Sequence, residues 1–203
     1  MSGQRIAVVT GGGSGIGKAA SRRFALHGDL VVVADFNEAT GRSVVDAIRA
    51  EGGHAEFRRV DVAEQASVDA LAADVESTVG PVEVLVTSAG ILQNATDIAS
   101  FDLAEHDRVW AINYRGVYLS CRAFGPRMAA RGRGSIVNIS STSAVDPMPL
   151  LAYGPSKAAV QNLTGALAVE LGPDGVRVNA VMPGYVLTEA MQARIDAGKR
   201  MSS

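Results

Sequence analysis

Tyr153 and Lys157 have the side-chain chemistry and the spacing of a site that handles protons. They are four positions apart at the start of an apolar, alanine-rich stretch that predicts a helix, so both side chains lie on one helix face. A cation about 4 Å from a phenol favours the phenolate by ~4 kcal/mol at an effective dielectric of about 20, or roughly three pKa units. The pair therefore predicts a tyrosine with a lowered pKa that acts as a general acid and base. Taken alone, the same spacing is more typical of an ordinary surface pair.

A glycine-rich loop near the N-terminus predicts a binding site for a nucleotide pyrophosphate. Glycines let backbone amides approach an anion, and the N-terminus of the following helix adds partial positive charge. The glycines follow the pattern Gly11-x-x-x-Gly15-x-Gly17, and Gly-x-Gly-x-x-Gly fits this stretch in no register. A phosphate loop of the NTPase kind nearly fits from Gly12, but Ala19 replaces the Ser or Thr that would hold Mg²⁺, which disfavours phosphoryl transfer.

Composition disfavours several classes of function. Lys plus Arg number 19 and Asp plus Glu 21, for a net charge of -2, and no block of one sign indicates nucleic-acid or membrane-surface binding. No apolar run approaches the ~18 residues of a membrane span, and no signal peptide precedes the first strand, so a cytoplasmic protein is expected. Cys121 is the only cysteine, and His27, His54 and His106 are scattered, so no metal site is expected.

Short β-branched runs alternate with helical patterns along all 203 residues. This alternation predicts an α/β protein with a doubly wound parallel sheet, and we expect one domain over residues 1–203. No Gly-x-Ser-x-Gly motif of serine hydrolases occurs. The predicted strands are Arg5 to Thr10, Leu30 to Asp35, Ala55 to Val60, Val82 to Thr87, Ser135 to Ile139 and Val176 to Val181.

Six motifs in order resemble the short-chain dehydrogenase/reductase family from residue 5 to about residue 190. Each motif alone has an ordinary explanation as a turn, a cap or a surface residue, but the ordered set at compatible spacing is far more specific. The resemblance implies a Rossmann fold. The motifs are Thr10-Gly11-x-x-x-Gly15-Ile16-Gly17, Thr87-Ser88-Ala89-Gly90, Asn113, Asn138-Ile139-Ser140-Ser141, Tyr153-x-x-x-Lys157 and Pro183-Gly184-x-Val186-x-Thr188.

The resemblance implies hydride transfer between a nicotinamide and a secondary alcohol or ketone. Tyr153 is then the general acid and base, and Ser141 holds the substrate oxygen. Lys157 lowers the pKa of the tyrosine and contacts the nicotinamide ribose, and Asn113 holds a water that passes protons to solvent. Ser140 is the alternative to Ser141 as the catalytic serine.

The resemblance also implies a set of cofactor contacts and a preference for NAD. Asp35 ends the second predicted strand, where a carboxylate accepts hydrogen bonds from ribose hydroxyls and repels a 2'-phosphate. NADP-preferring members carry a basic residue at positions that are Ser14 and Phe36 here. The expected contacts are Gly11, Ser14, Gly15, Ile16, Gly17, Asp35, Phe36, Asp61, Val62, Ser88, Ala89, Gly90, Tyr153, Lys157, Pro183, Gly184, Val186 and Thr188.

Two departures from the family pattern affect what can be expected. Thr87-Ser88 replaces two asparagines of the family pattern, so a side-chain amide that braces the central strands is lost. We expect this change to affect the stability of these strands more than catalysis. The family also continues beyond the position of Ser203, so the resemblance implies that the last sheet strand and a C-terminal lid are lacking. An inactive dinucleotide-binding or scaffolding protein of the same fold is therefore the alternative hypothesis.

The substrate end of the site is expected to be mainly apolar, without cationic groups for a highly charged substrate. A small secondary alcohol or its ketone is the predicted substrate, and the family implies a homodimer or homotetramer by analogy. The expected lining residues are Ile91, Leu92, Gln93, Ser143, Met148, Leu151 and Tyr185.

Overall fold

Six strands form one parallel sheet in the computed structural model, which describes residues 4–198 apart from the side chains of residues 190 and 194. The predicted doubly wound parallel sheet is confirmed, and each predicted strand is correct to within one residue at either end. Residues 1–3 and 199–203 of the predicted domain lie outside the described residues. The strands are β1 (Ile6–Thr10), β2 (Leu30–Asp35), β3 (His54–Arg59), β4 (Val82–Thr87), β5 (Gly134–Ile139) and β6 (Val176–Val181).

Helices connect the strands and cover both faces of the sheet. A π-helical turn, Ala111–Arg115, joins the fourth helix directly to the fifth. The helices are α1 (Gly15–Leu26), α2 (Glu38–Ala50), α3 (Gln65–Thr78), α4 (Leu103–Trp110), α5 (Gly116–Ala130), α6 (Tyr153–Leu171) and α7 (Glu189–Asp196).

The strand order is β3-β2-β1-β4-β5-β6. The chain therefore adds β2 and β3 on one side of β1, and then adds β4, β5 and β6 on the other side. The order reverses between β1 and β4, which are neighbours although β2 and β3 lie between them in sequence. Segments that leave the carboxyl ends of two such strands run to opposite faces of the sheet, and a crevice opens between them. The glycine loop follows β1 and residues 88–93 follow β4, so both border this crevice.

Alternating side chains of the strands supply two separate apolar cores. Val8, Val32 and Leu85 pack with residues of α3, α5 and α6 on one face. Val9 and Val33, their sequence neighbours, pack with residues of α1 and α2 on the other face. Because both faces are covered, β1 and β2 are apolar at nearly every position and not only at every second one.

A buried polar network connects the middle of the sheet to α6. Thr87 Oγ1 donates to Asn138 Oδ1 over 2.8 Å, and Asn138 Nδ2 donates to Thr164 Oγ1 over 2.9 Å. Thr164 Oγ1 in turn donates to the carbonyl oxygen of Val160, over 2.8 Å. The hydroxyl of Thr87 thus links β4 to β5 at the position where the family pattern has a longer amide.

Candidate active site

A cleft of about 1080 Å³ lies at the carboxyl ends of the strands. Its wall includes every expected cofactor-contact residue except Gly17, and it also includes Ser141. Gly17 and Asn113 are buried behind the wall. The residues predicted from separate motifs are therefore brought to one cavity, with the glycine loop, Asp35, Asp61 and Tyr153 all on its surface.

The glycine loop has a geometry that larger residues cannot adopt. Gly11 has a φ of 66°, and a Cβ on it would lie 2.6 Å from the Cα of Ala89. A Cβ on Gly17 would lie 2.1 Å from the carbonyl oxygen of Gly11. These contacts bring the first turn of α1 directly against the loop, so that its backbone amides are accessible to an anion in the cleft. The loop therefore fits the pyrophosphate of a dinucleotide.

Glu189, at the start of α7, already directs a carboxylate at this loop. Its Oε2 accepts from the amide of Gly15 over 3.1 Å, and its Oε1 is 2.8 Å from Lys18 Nζ. Hydrogen bonds from Lys18 and from backbone amides lower the pKa of Glu189 from 4.5 to about 2. The beginning of α1 thus holds an anionic group of the chain itself. Nothing in the local sequence of Glu189 indicates this contact.

The carboxylate of Asp35 connects the end of β2 to the glycine loop. Its Oδ2 accepts from the amide of Gly13 over 2.8 Å, and its Oδ1 accepts from the amide of Asn37 over 2.9 Å. Each carboxylate oxygen can accept about two hydrogen bonds, so each keeps one acceptor position for a hydroxyl in the cleft. Asp35 therefore remains able to bind ribose hydroxyls.

Arg59 is a cation at the same end of the cleft that the sequence interpretation did not include. Its guanidinium lies 4.9 Å from the ring centroid of Phe36, which is 60% exposed and lines the cleft. Arg59 is the register partner of Asp35 on β3. The pairing of β2 with β3 brings the arginine there, and the predicted strand bounds, which end at Asp35 and Val60, do not indicate this register.

The other expected cofactor contacts form two further walls. Asp61 accepts from the amide of Ala63 over 3.0 Å, so its side chain holds a turn at the cleft edge. On the opposite side, Thr188 Oγ1 caps α7 by accepting from the amide of Met191 over 3.2 Å. Residues of the segments after β3, β4 and β6 line these walls: Asp61, Val62, Ser88, Ala89, Gly90, Pro183, Gly184, Val186 and Thr188.

Tyr153 is the first residue of α6, and its phenol is mostly buried in the cleft wall. Burial raises its pKa above the ordinary value of 10, whereas a hydrogen bond with the hydroxyl of Ser141 acts in the opposite direction. The predicted lowering of this pKa by Lys157 is therefore wrong for the protein alone. Burial outweighs the neighbouring ammonium, which lies 5.8 Å from the centroid of the Tyr153 ring, because removal from water disfavours the charged phenolate.

Lys157 is 4% exposed and directs its Nζ at the carbonyl oxygen of Ile139, 2.7 Å away. Among residues 4–198, no carboxylate lies within ion-pair distance of this Nζ. Burial lowers the pKa of Lys157 from 10.5 to about 8. The ammonium and a neutral amine are therefore both accessible near neutral to mildly alkaline pH.

The two candidate serines have different surroundings. Ser140 is 2% exposed and donates to the carbonyl oxygen of Lys157 over 2.9 Å, so its hydroxyl holds α6 against β5. Ser141 Oγ accepts from the hydroxyl of Ser143 over 2.9 Å and from the Ser143 amide over 3.2 Å. Of the two serines, only Ser141 acts to lower the pKa of the Tyr153 phenol. This placement favours Ser141 as the serine that contacts a substrate.

Asn113 lies in the π-helical turn and is completely buried. Its Oδ1 accepts from the amide of Ile91 over 2.8 Å, and its Nδ2 donates to the Ile91 carbonyl over 3.0 Å. A Cβ on Gly90 would lie 3.3 Å from Asn113 Oδ1 and 3.6 Å from Lys157 Nζ, so both polar groups border this glycine. Asn113 therefore holds the segment after β4 in place next to Lys157.

The substrate end differs from its expected lining in three respects. Gln93 is 1% exposed and does not line the cleft, because its side chain is directed into the protein toward α6. Leu151 is also absent from the wall, and its neighbour Leu150 lines it instead. Charged side chains of Arg108 and Asp146 also line the cleft, although no cation was expected there. The expected residues that do line it are Ile91, Leu92, Ser143, Met148 and Tyr185.

Comparison with known proteins agrees with this arrangement. A family model described as short chain dehydrogenase matches residues 5–199. The chain belongs to the short-chain dehydrogenase/reductase family. It is 40% identical over 198 residues to galactitol 2-dehydrogenase of Rhizobium johnstonii, a match that covers 95% of this chain and 76% of that protein. The oxidoreductase family predicted from the motifs is thus confirmed.

Solved structures of similar proteins share the fold closely. A Brucella melitensis structure described as ribose-5-phosphate isomerase is 45% identical with a TM-score of 0.91, covering 97% of this chain and 74% of that chain. The gluconate 5-dehydrogenase of Burkholderia cenocepacia in complex with NADP and tartrate is 33% identical with a TM-score of 0.89, covering 95% and 75%. Family members therefore bind a nicotinamide dinucleotide on this fold.

The described residues contain neither a helix that could span a membrane nor a cluster of metal-binding side chains. No helix within residues 4–198 combines the length and the apolar character needed to cross a membrane. Over the same range, no three His, Cys, Asp or Glu side chains are grouped so that they could hold a metal ion.

Proposed function

We propose that this protein transfers a hydride between NAD(H) and a secondary alcohol or ketone, with Tyr153 as the general acid and base. The observation that carries the proposal is the meeting of three groups at one cleft wall. The Tyr153 phenol, the Ser141 hydroxyl and the Lys157 ammonium lie around one position, and the glycine loop and Asp35 lie on the same cavity.

The proton chemistry follows from these surroundings. In alcohol oxidation the Tyr153 oxygen takes the proton of the substrate hydroxyl, and in ketone reduction it returns a proton to the developing alkoxide. Ser141 donates a hydrogen bond to the same substrate oxygen and stabilises its negative charge. The bound dinucleotide supplies or accepts the hydride at its nicotinamide. Lys157 favours the charged phenolate, and its own pKa of about 8 lets it exchange protons with solvent.

Asn113 and the residues after β6 have supporting roles in this proposal. Asn113 borders Lys157 across Gly90 and keeps a second acceptor position on its Oδ1 for a water that relays the proton. Thr188 and the backbone near Val186 hold the carboxamide, which determines the ring face turned to the substrate.

NAD is the proposed cofactor because Asp35 would repel a 2'-phosphate. The related gluconate 5-dehydrogenase is described with NADP, so the family as a whole does not decide the question. Arg59 adds a positive charge near Phe36, at the end where a 2'-phosphate would lie. We nevertheless propose NAD, because the Gly13 amide holds the Asp35 carboxylate directly beside the glycine loop.

The substrate is proposed to be an uncharged or weakly charged secondary alcohol or ketone. Ile91, Leu92 and Met148 supply apolar surface, whereas Asp146 and Arg108 offer polar contacts at the edge of the cleft. Galactitol and gluconate, named in two similar proteins, belong in the test panel beside simpler alcohols. The cytoplasmic location and the homodimer or homotetramer remain predictions.

A substrate panel run with NAD and with NADP tests the proposal. We expect NADH formation in the native protein, and loss of turnover by about 10³-fold or more in Tyr153→Phe with affinity for the dinucleotide retained. Tyr118→Phe, an exposed tyrosine on α5, is the matched control and should keep full turnover. Thermal stabilisation by NAD without turnover on any substrate would instead favour the inactive dinucleotide-binding protein.

A further inference from the structure

Gln93 connects the segment after β4 to the start of α6. It is 1% exposed, and its Oε1 accepts from the amide of Ala152 over 2.8 Å and from the amide of Tyr153 over 3.0 Å. One side-chain oxygen thus accepts hydrogen bonds from the backbone N–H groups of both Ala152 and Tyr153. The two partners of Gln93 lie 59 and 60 positions after it in the sequence.

The start of α6 has no local group that could replace this contact. The first backbone amides of a helix have no partner within the helix and need an acceptor from elsewhere. Ala152 precedes the helix and has no side-chain acceptor, and the first turn contains no acidic residue. Gln93 therefore takes the capping role that a local Ser, Thr, Asp or Asn usually has.

The same short segment also contacts the other polar groups of the site. Ile91, two residues before Gln93, exchanges two hydrogen bonds with Asn113. Gly90 borders Lys157 Nζ, with a virtual Cβ 3.6 Å away. Residues 90–93 thus determine the relative positions of Asn113, Lys157 and the backbone of Tyr153.

We infer that Gln93 is a positioning residue for Tyr153, which aligns the phenol with the substrate oxygen by holding the first turn of α6. This inference rests on the proposed function, because it concerns the general acid and base of that reaction. Gln93 itself contacts neither substrate nor cofactor in this role, since its side chain lies behind the cleft wall. A displacement of about 1 Å at a reacting group can lower a rate about 100-fold, so a contact that holds this helix start has a large effect on turnover.

Two substitutions separate positioning from packing. Gln93→Met keeps the length and burial of the side chain but removes the acceptor. We expect kcat to fall about 10-fold to 100-fold, with the Kd for NAD unchanged within about 2-fold because the glycine loop is not altered. Gln93→Glu keeps an acceptor oxygen for both amides and should restore kcat to within a few-fold of the native value. Thr87→Val, which weakens the core at another place, should not reproduce the loss of kcat.

Hydrogen exchange gives a readout that does not depend on turnover. The amides of Ala152 and Tyr153 should exchange at least about 10-fold faster in Gln93→Met than in the native protein, with protection restored in Gln93→Glu. Unchanged kcat in Gln93→Met, or a Gln93→Glu variant as slow as Gln93→Met, overturns the inference. Absence of turnover in the native protein, with these exchange effects intact, refutes the proposed function and with it the catalytic role, but not the contact.

Discussion

Lys157 Nζ donates a 2.7 Å hydrogen bond to the carbonyl oxygen of Ile139, the last residue of β5. This bond joins α6 to the end of the sheet, with the ammonium 5.8 Å from the centroid of the Tyr153 ring. The buried ammonium is held by a neutral carbonyl and by no carboxylate of the described chain, so its charged form is less favourable than in water. The structure therefore predicts a lysine that releases its proton readily.

Alkaline pH should stabilise the native protein relative to Lys157→Met. The unfolded chain keeps this proton up to pH 10.5, whereas folded Lys157 releases it near pH 8, so the unfolded state binds more protons in between. Stability contributed by this group consequently rises with pH through that window. We expect the unfolding free energy of the native protein to gain on the order of 1–2 kcal/mol over Lys157→Met between pH 8 and 9.5. Urea unfolding at several pH values measures it, and a constant difference would contradict the lowered pKa.

Cofactor choice should depend on two oppositely charged side chains that are register partners. Asp35→Ala removes the repulsion of a 2'-phosphate and should lower the ratio of kcat/KM for NAD over NADP by about 10-fold. Arg59→Ala removes the cation beside Phe36 and should raise the same ratio a few-fold. Initial rates with both dinucleotides give the ratios. A native protein that prefers NADP would show that Arg59 outweighs Asp35.

Removal of the Glu189 carboxylate should strengthen dinucleotide binding. The carboxylate accepts from the Gly15 amide, which belongs to the loop expected to bind the pyrophosphate, and like charges repel there. We expect Glu189→Gln to lower the Kd for NAD a few-fold, with the largest effect at low salt. Glu170→Gln, which changes an exposed glutamate of α6, is the charge-matched control. Weaker binding in Glu189→Gln would mean that the contact instead holds the start of α7 in a position that favours the cofactor.

The polar network in the core should contribute to stability without contributing to the chemistry. Thr87→Val keeps the side-chain shape but removes the donor to Asn138, and a buried amide oxygen that loses this partner costs about 1–3 kcal/mol. Thr87→Ser keeps the donor and should lose less. Urea denaturation measures both variants. A loss in Thr87→Ser as large as that in Thr87→Val would show that the hydrogen bond contributes no more to stability than the methyl group of Thr87.

The sequence by itself determined the features that depend on neighbouring residues. Apolar periodicity located all six strands to within one residue, and the glycine spacing located the tight loop between β1 and α1. The four-residue spacing placed Tyr153 and Lys157 near each other on α6, with the Lys157 ammonium 5.8 Å from the Tyr153 ring centroid. These features follow from backbone geometry within a few residues, which sequence patterns record directly.

Only the tertiary structure decided how those groups behave. The pKa of Tyr153 is raised and not lowered, because burial depends on everything packed around the phenol. The partners of Lys157, Gln93 and Gly15 are 18, 60 and 174 positions away, at Ile139, Tyr153 and Glu189. Such pairs are formed by the folding of the whole sheet and its helices, so no local pattern indicates them. Protonation and alignment of the site are therefore properties of the fold, whereas its chemical groups are properties of the sequence.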